Sequence, residues 1–208
     1  MKKTLLPLIL ALAISATAGA AQYTQTDKGD RYELKYPVFT QESSIATARM
    51  NRDIGKIIET ARKDLQRSEL QILNSDYKIS YEDDKYISLQ FSTYTYYQSA
   101  AHGMSYTYGL VYDKTTGRQV PYTEFTAELN AKKLKKNILH ADKAVFQSDL
   151  KTPSRAPFIQ HDKNFKVSSN YLINPTGEIY LMYQPYELDS YAAGVTYVHI
   201  GNLPTSLK

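Results

Sequence analysis

Residues 86–112 constrain the fold more than any other stretch of the chain. Ile87, Leu89 and Phe91 alternate with Ser88, Gln90 and Ser92, and Tyr106, Tyr108, Leu110 and Tyr112 alternate with Ser105, Thr107, Gly109 and Val111. A period of two marks a strand with one buried face. The two runs are separated by Ser99-Ala100-Ala101-His102-Gly103, small residues that turn a chain easily. The spacing therefore predicts a long hairpin, placed as the central ribbon of an antiparallel sheet. Its aromatic residues are mostly tyrosine: the chain has 19 Tyr, 6 Phe and no Trp. Residues of this kind suit a pleated, half-buried surface.

The N-terminus must be set aside before the rest is read. Lys2 and Lys3 precede an apolar run at 5–14 and a small-residue stretch at 15–21 that offers Ala-x-Ala cleavage. This is the pattern of an export signal, expected over residues 1–20. The run is shorter than the roughly 20 apolar residues that a membrane span requires. The expected location is therefore periplasmic or secreted, with no stable membrane insertion after cleavage. The absence of cysteine excludes a lipid anchor on a cleavage-site thiol, disulfides, thiolate metal ligands and cysteine nucleophiles together. Net charge is +4, or about +2 without Lys2 and Lys3, too small and too scattered for a nucleic-acid partner.

Elsewhere the pattern alternates between helix and strand. Tyr32, Leu34, Tyr36 and Val38 predict a strand over 31–39, in which Pro37 points to an edge position or a bulge. Ser43 or Ser44 is the expected cap of an amphipathic helix carrying Ile45, Ala48, Ile54, Ile57, Ile58, Ala61 and Leu65 and ending near 68–71. Asn74-Ser75-Asp76 reads as a break before a short strand at 77–82. A second helix is expected at 128–140, with Leu129, Leu134, Ile138 and Leu139 inward and Lys132, Lys133, Lys135 and Lys136 on a solvated face. Segment 141–164 reads as a further helix or a long surface loop. Strands follow at 170–173, 178–183 and 195–200, the first two joined by the turn Asn174-Pro175-Thr176-Gly177. The fold class is α+β: an antiparallel sheet with a long Tyr-rich central hairpin and one helix packed on each half.

Candidate chemistry is sparse. His102, His140, His161 and His199 lie outside metal-ligand spacing of one another, so no metal and no cofactor is expected. There is no nucleophile elbow, phosphate loop or dinucleotide fingerprint. His102 is either a polar contact at a binding loop or an imidazole that holds its own turn. Glu187 and Asp189 stand two apart, a spacing compatible with a glycosidase pair, whose carboxyl groups lie about 5 Å or about 6.5–9.5 Å apart. Glu187 is equally suited to accept a hydrogen bond that stabilises the turn. The tyrosines at 94–108 fit cross-strand pairs as well as an aromatic platform for sugars or a protein. An irregular loop fixed on a rigid sheet is where recognition usually sits. The candidate binding residues are therefore His102, Gly103, Tyr186, Glu187, Ser190 and Tyr191.

Two sets of motifs carry a family resemblance. The tyrosine-rich strand, Ala101-His102-Gly103, Tyr112-Asp113 and Thr116-Gly117 resemble the pattern of a Gly-Gly-Ala-His-Gly turn between strands. Asn170-Tyr171-Leu172-Ile173, Gly177, Tyr186-Glu187 and Tyr191-Ala192-Ala193-Gly194 resemble the C-terminal strand pair and loop of the same module. That module is the exported part of RsiV-type anti-sigma factors, which sense lysozyme. Its first part also resembles the non-catalytic domain of PdaC-type peptidoglycan deacetylases. The likeness runs from about residue 23 to residue 203 and implies two parts, 22–117 and 118–208. Ser99 and Ala100 stand where the family has two glycines, and Ser190 where it has a proline. An export signal takes the place of a sigma-binding segment and membrane helix, so the chain is not expected to be an anti-sigma factor itself. The resemblance implies loops that help insert into a lysozyme cleft. The expected function is a non-catalytic exported binding or sensing domain at the bacterial cell envelope, with a lysozyme-like hydrolase or peptidoglycan as partner. The alternative is a weak peptidoglycan-acting hydrolase using Glu187 or Asp189 with His102.

Overall fold

Alternation of side chains builds two sheets in this protein, seen in a computed structural model that describes residues 22–40, 44–140, 144–151, 153 and 165–204. The first sheet is ordered β1 (Gln22–Gly29), β2 (Tyr32–Phe39), β3 (Leu70–Glu82), β4 (Tyr86–Tyr97) and β5 (Met104–Asp113). The second contains β6 (Val145–Gln147), β7 (Tyr171–Ile173), β8 (Glu178–Tyr183) and β9 (Thr196–Asn202), in the order β6-β9-β8-β7. Among the described strands only β2 and β3 run parallel. Helix α1 (Ser44–Asp64) makes that crossover, as a parallel pair requires. The expected α+β class holds. Each half carries one helix, the second being α2 (Ala131–Leu139).

The inward stripe of α1 is Ala46, Met50, Ile54, Ile58 and Ala61, all buried at helical spacing. Most of it packs with Leu34, Leu73, Ile87, Leu89, Phe91 and Tyr112 on one face of the first sheet. Full burial of each such side chain contributes about 1.5–3 kcal/mol. The opposite face of β4 and β5 receives the second sheet. There Tyr86, Val111 and Val120 join Tyr171, Ile173, Leu181 and Val198, with Leu134 and Ile138 of α2 closing the cluster. Two cores thus share β4 and β5 between them. Ser88, on the second face, is buried and accepts the Ile173 backbone N–H at 3.1 Å.

Gly109 permits this stacking. A Cβ at that position would overlap the backbone carbonyl of Tyr171, so the approach of β7 to β5 needs a residue without one.

Several expectations are corrected. The hairpin is not central: β5 is the edge of its sheet, and it is covered by side chains from the second half and, over 111–113, by a short backbone pairing with 118–120. Asn74-Ser75-Asp76 lies within a 13-residue strand, because Asn74 and Asp76 occupy its exposed face while Leu73 and Ser75 point inward. Strand β1 was not expected, since its residues are mostly polar; it is held by antiparallel pairing along its full length with β2. Pro37 consequently sits on an inner strand, opposite Thr24. The parallel pairing of β2 with β3 stops at Leu34, so beyond it that flank needs no N–H from proline. Helix α1 ends at Asp64 because Leu70 already begins β3, and Ile45 is 67% exposed rather than inward. Helix α2 starts at Ala131, capped by the Asn130 side chain accepting from Lys133 N–H. Residues 141–164 contain the short strand β6. The export signal, Ser43, His161 and most of that last segment lie outside the described residues.

Candidate binding site

β4 and β5 are longer than the second sheet that covers them. The cover ends near Gln90, whose Nε2 donates to the Tyr197 hydroxyl at 2.9 Å. Beyond it the hairpin tip projects and meets the irregular segment 184–194, which leaves β8.

Tyr191 is the hinge of that meeting. Its ring stacks on His102 with centroids 4.0 Å apart and planes at 26°, and its hydroxyl donates to the Gly103 carbonyl at 2.7 Å. Tyr186 lies on the same side, its ring 5.9 Å from that of Tyr191 and its hydroxyl 3.3 Å from His102 Nε2. His102 Nδ1 is 2.9 Å from the Gly103 carbonyl oxygen, so the imidazole both holds its turn and presents a ring. Gly103 is buried under the Tyr94 ring, where a Cβ would collide with the phenol. Tyr186 remains 60% exposed. The result is an aromatic corner with hydroxyl and imidazole groups at its rim.

Backbone strain collects here. Among the described residues, the non-glycine positions with positive φ are Ser99 at 67°, Ser148 at 60° and Tyr186 at 72°. Ser99 and Tyr186 are in the two loops. Ser148 supports one of them, its hydroxyl donating to the Ala193 carbonyl at 2.9 Å. Each such conformation costs of order 1–3 kcal/mol and persists only where its surroundings enforce it. Ser99 keeps the turn geometry at a position where the resembling family has glycine.

The acidic residues of the loop serve its shape. Glu187 Oε2 accepts the Gln184 backbone N–H at 2.6 Å, Asp189 Oδ2 accepts from Gln147 Nε2 at 2.6 Å, and Asp189 Oδ1 accepts the Ser190 N–H at 2.7 Å. Four of the six sequence-predicted residues, His102, Gly103, Tyr186 and Tyr191, are brought into contact. Glu187 and Ser190 stay exposed on the same loop without joining the stack. Among the described residues no group of three or more His, Asp or Glu side chains is placed to hold a metal.

The positioning amides were not foreseen. Gln184 and Asn170 bond the backbone of Thr107 and Gly109 on β5 and so tie the second half to the hairpin below the corner. No local pattern marks a lone Asn or Gln for such a task. Burial of the surrounding tyrosines is visible in their acidity: desolvation pushes the Tyr183 and Tyr197 phenols up from 10.0.

Two α+β halves joined by stacked sheets, with a loop from each meeting at one corner, define a two-part α+β module. Two family models match the chain: the one described as Deacetylase PdaC over residues 24–105, and the one described as Protein of unknown function (DUF3298) over residues 119–201. Among solved structures it is similar to a DUF3298 family protein from Pseudomonas aeruginosa PAO1, at 11% identity and a TM-score of 0.59, covering 89% of this chain and 94% of that one. It is also similar to a DUF3298 family member from Bacteroides fragilis NCTC 9343, at 12% identity and a TM-score of 0.52, covering 91% and 96%. At such identities the likeness establishes the shared fold. A comparison with curated proteins finds no match.

Proposed function

We propose that this chain is an exported, non-catalytic binding domain of the bacterial cell envelope, and that its aromatic corner holds a lysozyme-like hydrolase or peptidoglycan. The observation that carries the reading is the stack of His102 on Tyr191 with Tyr186 beside it. Residues 84 and 88 positions apart are locked together at a rim, and tyrosine offers large contact area with a polar tip. The resemblance to RsiV-type modules supports a protein partner. Recognition is favoured over hydrolysis because Glu187 and Asp189 accept hydrogen bonds that shape their own loop.

Pull-down with lysozyme and sedimentation with peptidoglycan test the reading. At least one should retain the wild-type chain, and Tyr186→Ala should release it. Failure of both assays would overturn the proposal, as would release of peptidoglycan fragments that Glu187→Ala abolishes.

A further inference from the structure

The face of the first sheet opposite α1 is covered by the second sheet only over part of its length. Past Gln90 it lies open, and it is shaped. Two adjoining depressions of about 190 Å³ and about 250 Å³ share Asp76 and Ser92. Their floor is made of short side chains, Asn74, Asp76, Ser92 and Ser105, between the taller Lys35 and Tyr94. The trough crosses β2 to β5, four strands and therefore roughly 14 Å. Its Tyr94 end is continuous with the aromatic corner, since that ring lies on Gly103 and Tyr191 bonds the Gly103 carbonyl.

We propose that this trough takes a neutral, polyhydroxylated chain, a glycan strand, laid across the four strands with one end against the aromatic corner. The inference deepens the reading above and rests on it only for that end.

The lining selects the occupant. Hydroxyl, amide and carboxylate groups supply donors and acceptors at close spacing, as a row of sugar hydroxyls requires. Lys35, 3.8 Å from Glu33, and Lys78 are matched by the carboxylates of Glu33 and Asp76, so no net positive field attracts a polyanion. No aliphatic side chain lines the smaller depression or the floor, which leaves a protein partner without the apolar centre that stable interfaces have. Long charged side chains line the trough at Glu33, Lys35 and Lys78, and the short residues beside them keep a channel at backbone level. Tyr94 then offers a ring for the apolar face of a sugar.

The test is an NMR titration of the 15N-labelled chain with cellohexaose and with chitohexaose, and with heparin and lysozyme as separate arms. The expected result is a shift of the Asn74, Asp76, Ser92 and Ser105 amides with at least one hexaose, and none of these shifts with heparin. Asn74→Ala and Asp76→Ala should each weaken that binding about tenfold, with melting curves confirming that both variants fold. The inference is overturned if neither hexaose moves these amides, if both variants bind as well as wild type, or if only heparin or lysozyme moves them. The two proposals fail separately. Loss of hexaose binding with Tyr186-dependent retention of lysozyme or peptidoglycan removes the trough alone. Trough binding with no Tyr186-dependent partner removes the corner alone.

Discussion

The side-chain amide of Gln184 pairs with the backbone of Thr107 as a neighbouring strand would. Thr107 N–H donates to Oε1 at 2.9 Å, and Nε2 donates to the Thr107 carbonyl at 2.7 Å. Asn170 continues the pattern, accepting the Gly109 N–H at 2.7 Å and donating to the Thr107 carbonyl at 2.8 Å. Two side chains from the second half therefore occupy the outer edge of β5, which would otherwise offer an open ladder to other chains. They also set the position of the 184–194 segment relative to the hairpin tip.

Gln184→Ala should leave the Thr107 N–H unpaired in a position that is only 6% exposed. A buried donor without a partner costs about 1–3 kcal/mol. Chemical denaturation should report that loss, and amide exchange at Thr107 should accelerate more than at Leu110.

Gly109→Ala should be worse than its size suggests. The added methyl meets the Tyr171 carbonyl, a backbone atom that moves only if the two sheets separate, and overpacking of this kind costs about 1–3 kcal/mol or more. Gly55→Ala is the matched control: it lies on α1 with open space around it, and removing glycine from a helix interior should raise stability by up to about 1 kcal/mol. Thermal melts of the two variants should move in opposite directions.

Tyr191 combines a ring contact with a hydroxyl contact, and the two are separable. Tyr191→Phe keeps the stack on His102 and loses the bond to the Gly103 carbonyl, a change of about 0.5–1.5 kcal/mol. Tyr191→Leu loses both. The His102 ring proton resonances should stay near their wild-type positions in the first variant and move in the second.

Acid should weaken the β7–β8 turn. Burial acts against the Glu178 carboxylate, but hydrogen bonds from Asn174, Thr176 and Tyr180 outweigh it and hold Glu178 below its ordinary 4.5. The unfolded chain then binds the proton more readily than the folded one. The contribution is fully present above pH 4.5 and is lost as pH falls through the lower folded value. Glu178→Gln should flatten the fall in stability below pH 4.5 in denaturant titrations at stepped pH.

Alternation over 86–97 and 104–113 was readable because a strand's side chains obey a strict period, and the buried Ile87, Leu89 and Phe91 follow it. The turn at 174–177 was equally legible: Gly177 adopts φ 85° and donates to the Asn174 carbonyl at 2.9 Å. The polar strand β1 and the Asn74-Ser75-Asp76 part of β3 escaped the same reading. A strand with an open polar face, or one held by backbone pairing and polar contacts such as Asp27 with Arg62, leaves no hydrophobic alternation to detect.

For the site, the loop residues His102, Tyr186 and Tyr191 were visible as conspicuous chemistry in irregular segments. Their meeting was not. The sequence by itself determined which segments alternate, where the chain turns and the lack of any thiol chemistry, because these depend on neighbours a few residues apart. Only the tertiary structure decided that β5 is an edge, that Gly109 admits the second sheet and that Tyr191 rests on His102. Those relations join residues 62 to 89 positions apart, and their energy comes from stacking and shared hydrogen bonds that no local spacing encodes.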